Sequence, residues 1–134
     1  MESERFITGQ KMLQQVDGKG GEAVVESLKD IAPDFARYLL EFPFGDIYAR
    51  PGLDLRSREI ATVAALTAMG NAAPQLKVHI GAALHVGLTQ DEIVEVIMQM
   101  AVDVFYPAWV TNEPSAGSSG NKNYSSCAKR LMSD

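Results

Sequence analysis

Thr89-Gln90-Asp91-Glu92-Ile93-Val94-Glu95-Val96-Ile97-Met98-Gln99-Met100-Ala101-Val102-Asp103-Val104, residues 89–104, decides the fold class. Thr89 followed three residues later by Glu92 is a capping box: each side chain satisfies a backbone amide that the new helix would leave unpaired. Ile93, Ile97, Met100, Ala101 and Val104 then recur at spacings of three and four, the period of a helix with one apolar face. Just upstream, Gly87 stands where a preceding helix stops. The pattern of this stretch is helical from cap to end, and no other part of the chain alternates as a strand would.

Working outward, Pro74 suits the first turn of a helix to about Val86, with Leu76, Ile80, Ala83 and Leu84 as its buried stripe. Asp54 or Ser57 caps a helix from about Leu55 to Met69, ended by Gly70-Asn71. Ala61, Ala64, Ala65 and Ala68 on it let a neighbouring helix approach closely and leave room for a ligand. Gly45 to Leu53 reads as an irregular connector with a tight turn at Pro51-Gly52. Ala32-Pro33-Asp34 opens a helix with the stripe Phe35, Leu39 and Phe42, and Pro43 ends or kinks it. Earlier, helices fit Ser3 to Val16 and Glu22 to Lys29, with the glycine-rich Asp17 to Gly21 as a turn between them. After Pro107 the chain becomes rich in Ser, Gly and Asn. The expected organisation is a helical domain over 1–108 and a polar tail over 109–134, coil from Thr111 to Ser126 with one turn at Ala128 to Met132. The fold class is all-α, a compact bundle of five to six helices.

With 134 residues and 46% hydrophobic content, the chain can bury one real core. A net charge of −5 with interleaved signs argues against nucleic acid or an anionic membrane as partner. No apolar run approaches the roughly 20 residues that span a bilayer, and the charged N-terminus lacks a signal peptide's apolar core. The single cysteine, Cys127, makes no internal disulfide, so a cytoplasmic location is expected.

His79 lies three residues after Leu76 and four before Ala83, on the apolar side of its helix. Spacing leaves two readings: a hydrogen-bonded core histidine, or a general acid/base that titrates near neutrality. His85, about 240° further around the helix, faces outward. The two histidines do not share a face for a metal, and no HExxH spacing occurs. Glu59 in a first helical turn is either a solvated carboxylate complementing the helix dipole or a partner for His79 across a helix pair. Arg50, Arg56 and Arg58 are either surface charges paired with Asp46, Asp54 and Glu59 or a fork for a small acid's carboxylates.

Phe44-Gly45-Asp46-Ile47-Tyr48-Ala49-Arg50-Pro51-Gly52-Leu53-Asp54, Arg56, Arg58, Leu76-x-x-His79, Gly87-Leu88-Thr89-Gln90-Asp91-Glu92-Ile93, Ala101-Val102 and Pro107-Ala108 keep order and spacing from about Phe6 to Ala108. Together they resemble the carboxymuconolactone decarboxylase family, closest to its gamma-carboxymuconolactone decarboxylase branch. The resemblance implies an alkylhydroperoxidase D-like helical fold and a homo-oligomer, a trimer or hexamer. The peroxidase branch carries CxxC where this chain reads Ala72-Ala73-Pro74-Gln75. Without that pair of thiols, peroxidase activity is expected to be absent.

What the resemblance implies instead is a cofactor-free lyase of aromatic compound catabolism that decarboxylates a small carboxylated lactone. In that role His79 delivers the proton, Glu59 orients it, and Arg50 and Arg58 bind substrate carboxylates; no metal and no cofactor take part. The alternative is a non-catalytic or differently specific helical oligomer of the same family that binds a small carbonyl acid. The family's closing small-residue helix is replaced here by the polar Trp109–Asp134 stretch.

Overall fold

Helix caps set the register of the chain. The computed structural model describes residues 2–110, with side chains through Val102; the polar stretch 111–134, including Cys127, lies outside the described residues. Six α-helices and one π-helical segment follow one another, with no strand among the described residues. Ser3 caps α1 (Glu4–Val16) by accepting from the Phe6 amide. Asp54 caps α4 (Leu55–Met69) by accepting from the Ser57 amide at 2.8 Å, and Gly70, with φ of 69°, closes it. At α6 (Gln90–Val110) the expected capping box is present in both directions. The Thr89 amide donates to Glu92 Oε2 at 2.8 Å, and the Glu92 amide donates to Thr89 Oγ1 at 3.1 Å. The backbone of α6 is helical through Trp109 and Val110.

The other elements are α2 (Lys19–Leu28), α3 (Pro33–Leu39) and α5 (Ala73–His85). Three expectations for the N-terminal half are corrected. The turn after α1 is only Asp17-Gly18, and Gly20 and Gly21 lie inside α2. Gly21 is a packing residue: a Cβ there would collide with the Leu13 side chain. The stripe Phe35–Leu39–Phe42 is not the buried face; Phe35 and Phe42 are exposed, and Ala36 and Leu40 face the core. Pro43 does not end its helix. The backbone widens into a π-helix from Leu40 to Tyr48, taking in half of the expected connector. The wider winding carries the chain past a residue that lacks an amide proton and crowds the preceding carbonyl. On α5, Leu84 proves exposed, and Ala82 takes its place in the core.

The elements pack as two halves. In one, α1 lies along the π-helical segment and α2 and α3 close around them. Gly9 and Gly45 make the crossing possible, since a Cβ on Gly9 would collide with the Leu40 carbonyl and one on Gly45 with the Arg5 carbonyl. Arg5 pairs with Asp46 across the same crossing, its Nε 2.9 Å from Oδ1. In the other half, α4 packs on α5 and α6 around Val63, Leu76, Ala83, Leu88 and Ile93. Burying each of the larger side chains, Val63, Leu76, Leu88 and Ile93, contributes about 1.5–3 kcal/mol. On α4, Ala61 and Ala65 lie on the exposed side.

Two glycine substitutions separate close packing from helix propensity. Gly9→Ala forces α1 off the π-helical segment and is expected to cost about 2 kcal/mol or more. Gly81→Ala, where a Cβ meets nothing within 4 Å, is expected to stabilise α5 by about 0.5–1 kcal/mol. Urea unfolding midpoints of the two variants check both signs.

Candidate active site

Glu59 sits on the same side of α4 as Val63 and Leu66, at spacings of four and seven, and so points into the core. Its side chain is 0% exposed. A buried carboxyl group with no partner costs several kcal/mol, and here both oxygens are bonded. The Tyr48 hydroxyl donates to Oε1 at 2.8 Å. His79 Nδ1 lies 2.9 Å from Oε2. A carboxylate offers only acceptors, so Nδ1 carries the proton toward it and Nε2 is left for a molecule in the cavity. The solvated reading of Glu59 is thereby corrected.

The partners are delivered by the local folds already described. Leu39, Pro43, Phe44 and Tyr48 fall at steps of four, one and four, which the wide π-helical winding puts on one face toward the cavity. The Tyr48 ring packs against Phe44, centroids 5.2 Å apart, and under the Arg58 guanidinium at 5.6 Å. Thr62, one turn along α4 from Arg58, donates to the Arg58 carbonyl and places its Oγ1 3.3 Å from the phenol oxygen. Burial pushes the Tyr48 phenol up to about 12; the Glu59 carboxyl adds to the rise and the Thr62 hydroxyl opposes it.

Between the two halves lies a cavity of about 280 Å³. Leu13, Val16, Val24, Leu39, Val78 and Ala82 give it apolar walls; Asp17, Tyr48, Thr62, Gln75 and His79 bring polar groups. A small, mostly apolar pocket with a few convergent polar groups is the usual form of a ligand site. Asp17 stands at the end of α1, and burial raises its carboxyl above the ordinary range; the His79 charge opposes the rise, Glu59 adds to it and His85 opposes it. Among the described residues no group of three or more His, Cys, Asp or Glu could hold a metal ion.

Of the residues singled out from sequence, the structure brings Glu59 and His79 together and leaves both arginines off the cavity wall. Arg58 binds main chain: Nε donates to the Leu53 carbonyl at 3.1 Å and the terminal nitrogen to the Arg50 carbonyl at 3.0 Å, fixing the turn after Tyr48. Arg50 has an exposed side chain. Arg56 pairs with Glu92 at 2.6 Å, joining α4 to the start of α6. Thus none of the three pairs with the carboxylates expected of it; Asp46 binds Arg5 and Asp54 is engaged as a cap. Sequence reasoning missed Tyr48 and Asp17. Tyr48 is legible only to a reader who expects a π-helix, and Asp17 only to one who sees that the glycine turn folds against α5.

The arrangement is thus a histidine anchored by a buried carboxyl group on the wall of a mostly apolar cavity, within an all-helical frame, and among the described residues no thiol lines that cavity. The chain belongs to the carboxymuconolactone decarboxylase family, whose model matches residues 33–112. It is 31% identical over 108 residues to the 4-carboxymuconolactone decarboxylase of Acinetobacter baylyi, covering 80% of each chain. It is also 32% identical over 111 residues to an uncharacterized 15.0 kDa protein of Paracoccus denitrificans, covering 74% of this chain and 83% of that one. The family match begins at Pro33, so α1 and α2, which supply Leu13, Val16, Asp17 and Val24 to the cavity, lie before it.

The raised Tyr48 phenol has a measurable consequence. Its folded value lies above the ordinary 10.0, so the stability drawn from keeping it neutral is complete below about 10 and is lost as pH climbs toward about 12. In an ultraviolet titration one of the four tyrosines should ionise last, and Tyr48→Phe should remove that late step. A titration unchanged by Tyr48→Phe would contradict the buried hydrogen bond.

Proposed function

We propose that the chain is a cofactor-free decarboxylase of a small carboxylated lactone or a related carbonyl acid, working by proton transfer from His79. The observation that carries this reading is the hydrogen bond between the fully buried Glu59 and the cavity-lining His79. Decarboxylation breaks the bond to carbon dioxide and passes its electron pair into the conjugated carbonyl of the substrate. The resulting enolate needs a proton at carbon. His79 Nε2 supplies it, while Glu59 holds the ring and compensates its charge, as buried carboxylates do for catalytic histidines. On this reading the side-chain amide of Gln75, a residue of the same wall, donates to the enolate oxygen. The name of the Acinetobacter relative supports a carboxylated lactone as substrate; breakdown of aromatic compounds in the cytoplasm is the setting that this reading proposes.

Arg58 serves on this reading through the turn it holds and through Tyr48. Arg50 is exposed and meets the substrate carboxylate at the cavity of a neighbouring copy in a homo-oligomer, a trimer or hexamer. On this reading the exposed apolar side chains of Ile60, Met69, Leu84, Met98 and Val102 are covered by neighbouring copies. Among the described residues no helix is long and apolar enough to cross a membrane. Thiol peroxidase chemistry finds no support, because the only cysteine is Cys127. A second reading, a differently specific family member, is favoured by one feature: among the described residues neither Lys nor Arg lines the cavity. Such walls suit an acid with an apolar body and a single carboxylate.

His79→Gln keeps a hydrogen-bond donor for Glu59 and removes the proton donor. With 4-carboxymuconolactone followed by ultraviolet absorbance, kcat should fall by about 10²–10⁴-fold with an unchanged melting profile. Wild-type turnover matched by His79→Gln would overturn the acid–base reading. Turnover of a monocarboxylated lactone, without turnover of the dicarboxylated one, would select the second reading.

A further inference from the structure

A histidine that gives up a proton in each cycle needs a source to refill it, and the far side of the cavity offers one. Asp17 ends α1 and stands on the cavity wall with His79. Its carboxyl is partly buried, and among the described residues it has no hydrogen-bond or ion-pair partner. The titratable groups whose charges act on it are His79 and His85 of α5 and Glu59 of α4. The next residue, Gly18, carries the ring of His85: a Cβ at Gly18 would lie 3.3 Å from His85 Cε1 and 3.6 Å from Nε2. His85 itself is exposed to solvent. The two histidines of the chain thus flank one otherwise unpartnered carboxyl, one on the cavity side and one on the solvent side.

We propose that Asp17 and His85 form a proton path that connects the cavity to solvent and refills His79 after each turnover. The inference rests on the acid–base reading of the site. A carboxylate leaves as neutral carbon dioxide and a C–H bond replaces the C–C bond, so each turnover consumes one proton. That proton passes from His79 to substrate carbon, and His79 recovers one from water by way of His85 and Asp17. The separations exceed direct hydrogen bonds, so water completes the chain of donors. Burial raises the Asp17 carboxyl above its ordinary range, which lowers the cost of its taking up a proton in passing. Glu59 does not compete for this task, because both its oxygens are bonded inside the core.

Asp17→Asn and His85→Gln test the path, since among the described residues neither side chain has a hydrogen bond to lose. In dilute buffer both variants should show kcat reduced by about tenfold with KM unchanged, and added imidazole should restore it. A merely structural loss is not repaired by a small base, so a kcat that falls and stays low in imidazole overturns the proposal. An unchanged kcat in both variants overturns it as well. A second readout needs no substrate: ¹⁵N-imidazole line widths report how fast His79 exchanges its ring proton with water. Both variants should slow that exchange, and unaltered exchange overturns the path even if wild type turns over no lactone, an outcome that by itself counts only against the decarboxylase reading.

Discussion

A carboxyl group placed in the core of α4 is the constraint on which the site depends. Glu59 has no contact with solvent, and the penalty for such a group is met only if both oxygens are bonded. One bond comes from Tyr48 and the other from His79. The first requires the chain before α4 to widen into a π-helix, which aims the phenol at the core. The second requires α5 to lie against α4 with His79 in register. The bond to His79 also fixes the imidazole, so satisfying the buried carboxyl group and holding the ring at the cavity wall are one arrangement.

The C-terminal half was legible in the sequence because its signals are local. The Thr89–Glu92 box, the Asp54 cap and the stops at Gly70 and Gly87 depend on residues within one turn of each other, and all are seen as read. The N-terminal half was less legible because its packing is set between elements. Gly20 and Gly21 read as a turn by composition, but α2 tolerates them where the Asp17 side chain lies against Gly20 and that of Leu13 against Gly21. Phe35 and Phe42 are larger and more apolar than Ala36, yet the smaller residue faces the core because α3 approaches closely. Pro43 signalled a break, and nothing local distinguishes a break from a wider helix.

In the candidate site, His79 and its pairing with Glu59 were visible as alternatives, and burial decides between them. The signal was present in the spacing Glu59, Val63, Leu66, but the first-turn position of Glu59 offered an equally good solvated explanation. The arginines mislead for a related reason. Three guanidinium groups close in sequence suggest a shared anion, while the structure employs Arg58 on carbonyl oxygens and Arg56 on Glu92. The cavity owes its remaining walls to α1 and α2, outside the span matched by the family model.

The central claim is that Glu59 and His79 act as one unit, and a double-mutant cycle on unfolding free energy tests it most directly. Glu59→Leu and His79→Leu, each of which removes the hydrogen bond between them, are measured singly and together in urea. The account predicts that the double variant departs from the sum of the singles by about 1 kcal/mol or more, as for residues sharing a buried hydrogen bond. Additivity within about 0.3–0.5 kcal/mol, the behaviour of independent sites, would contradict it.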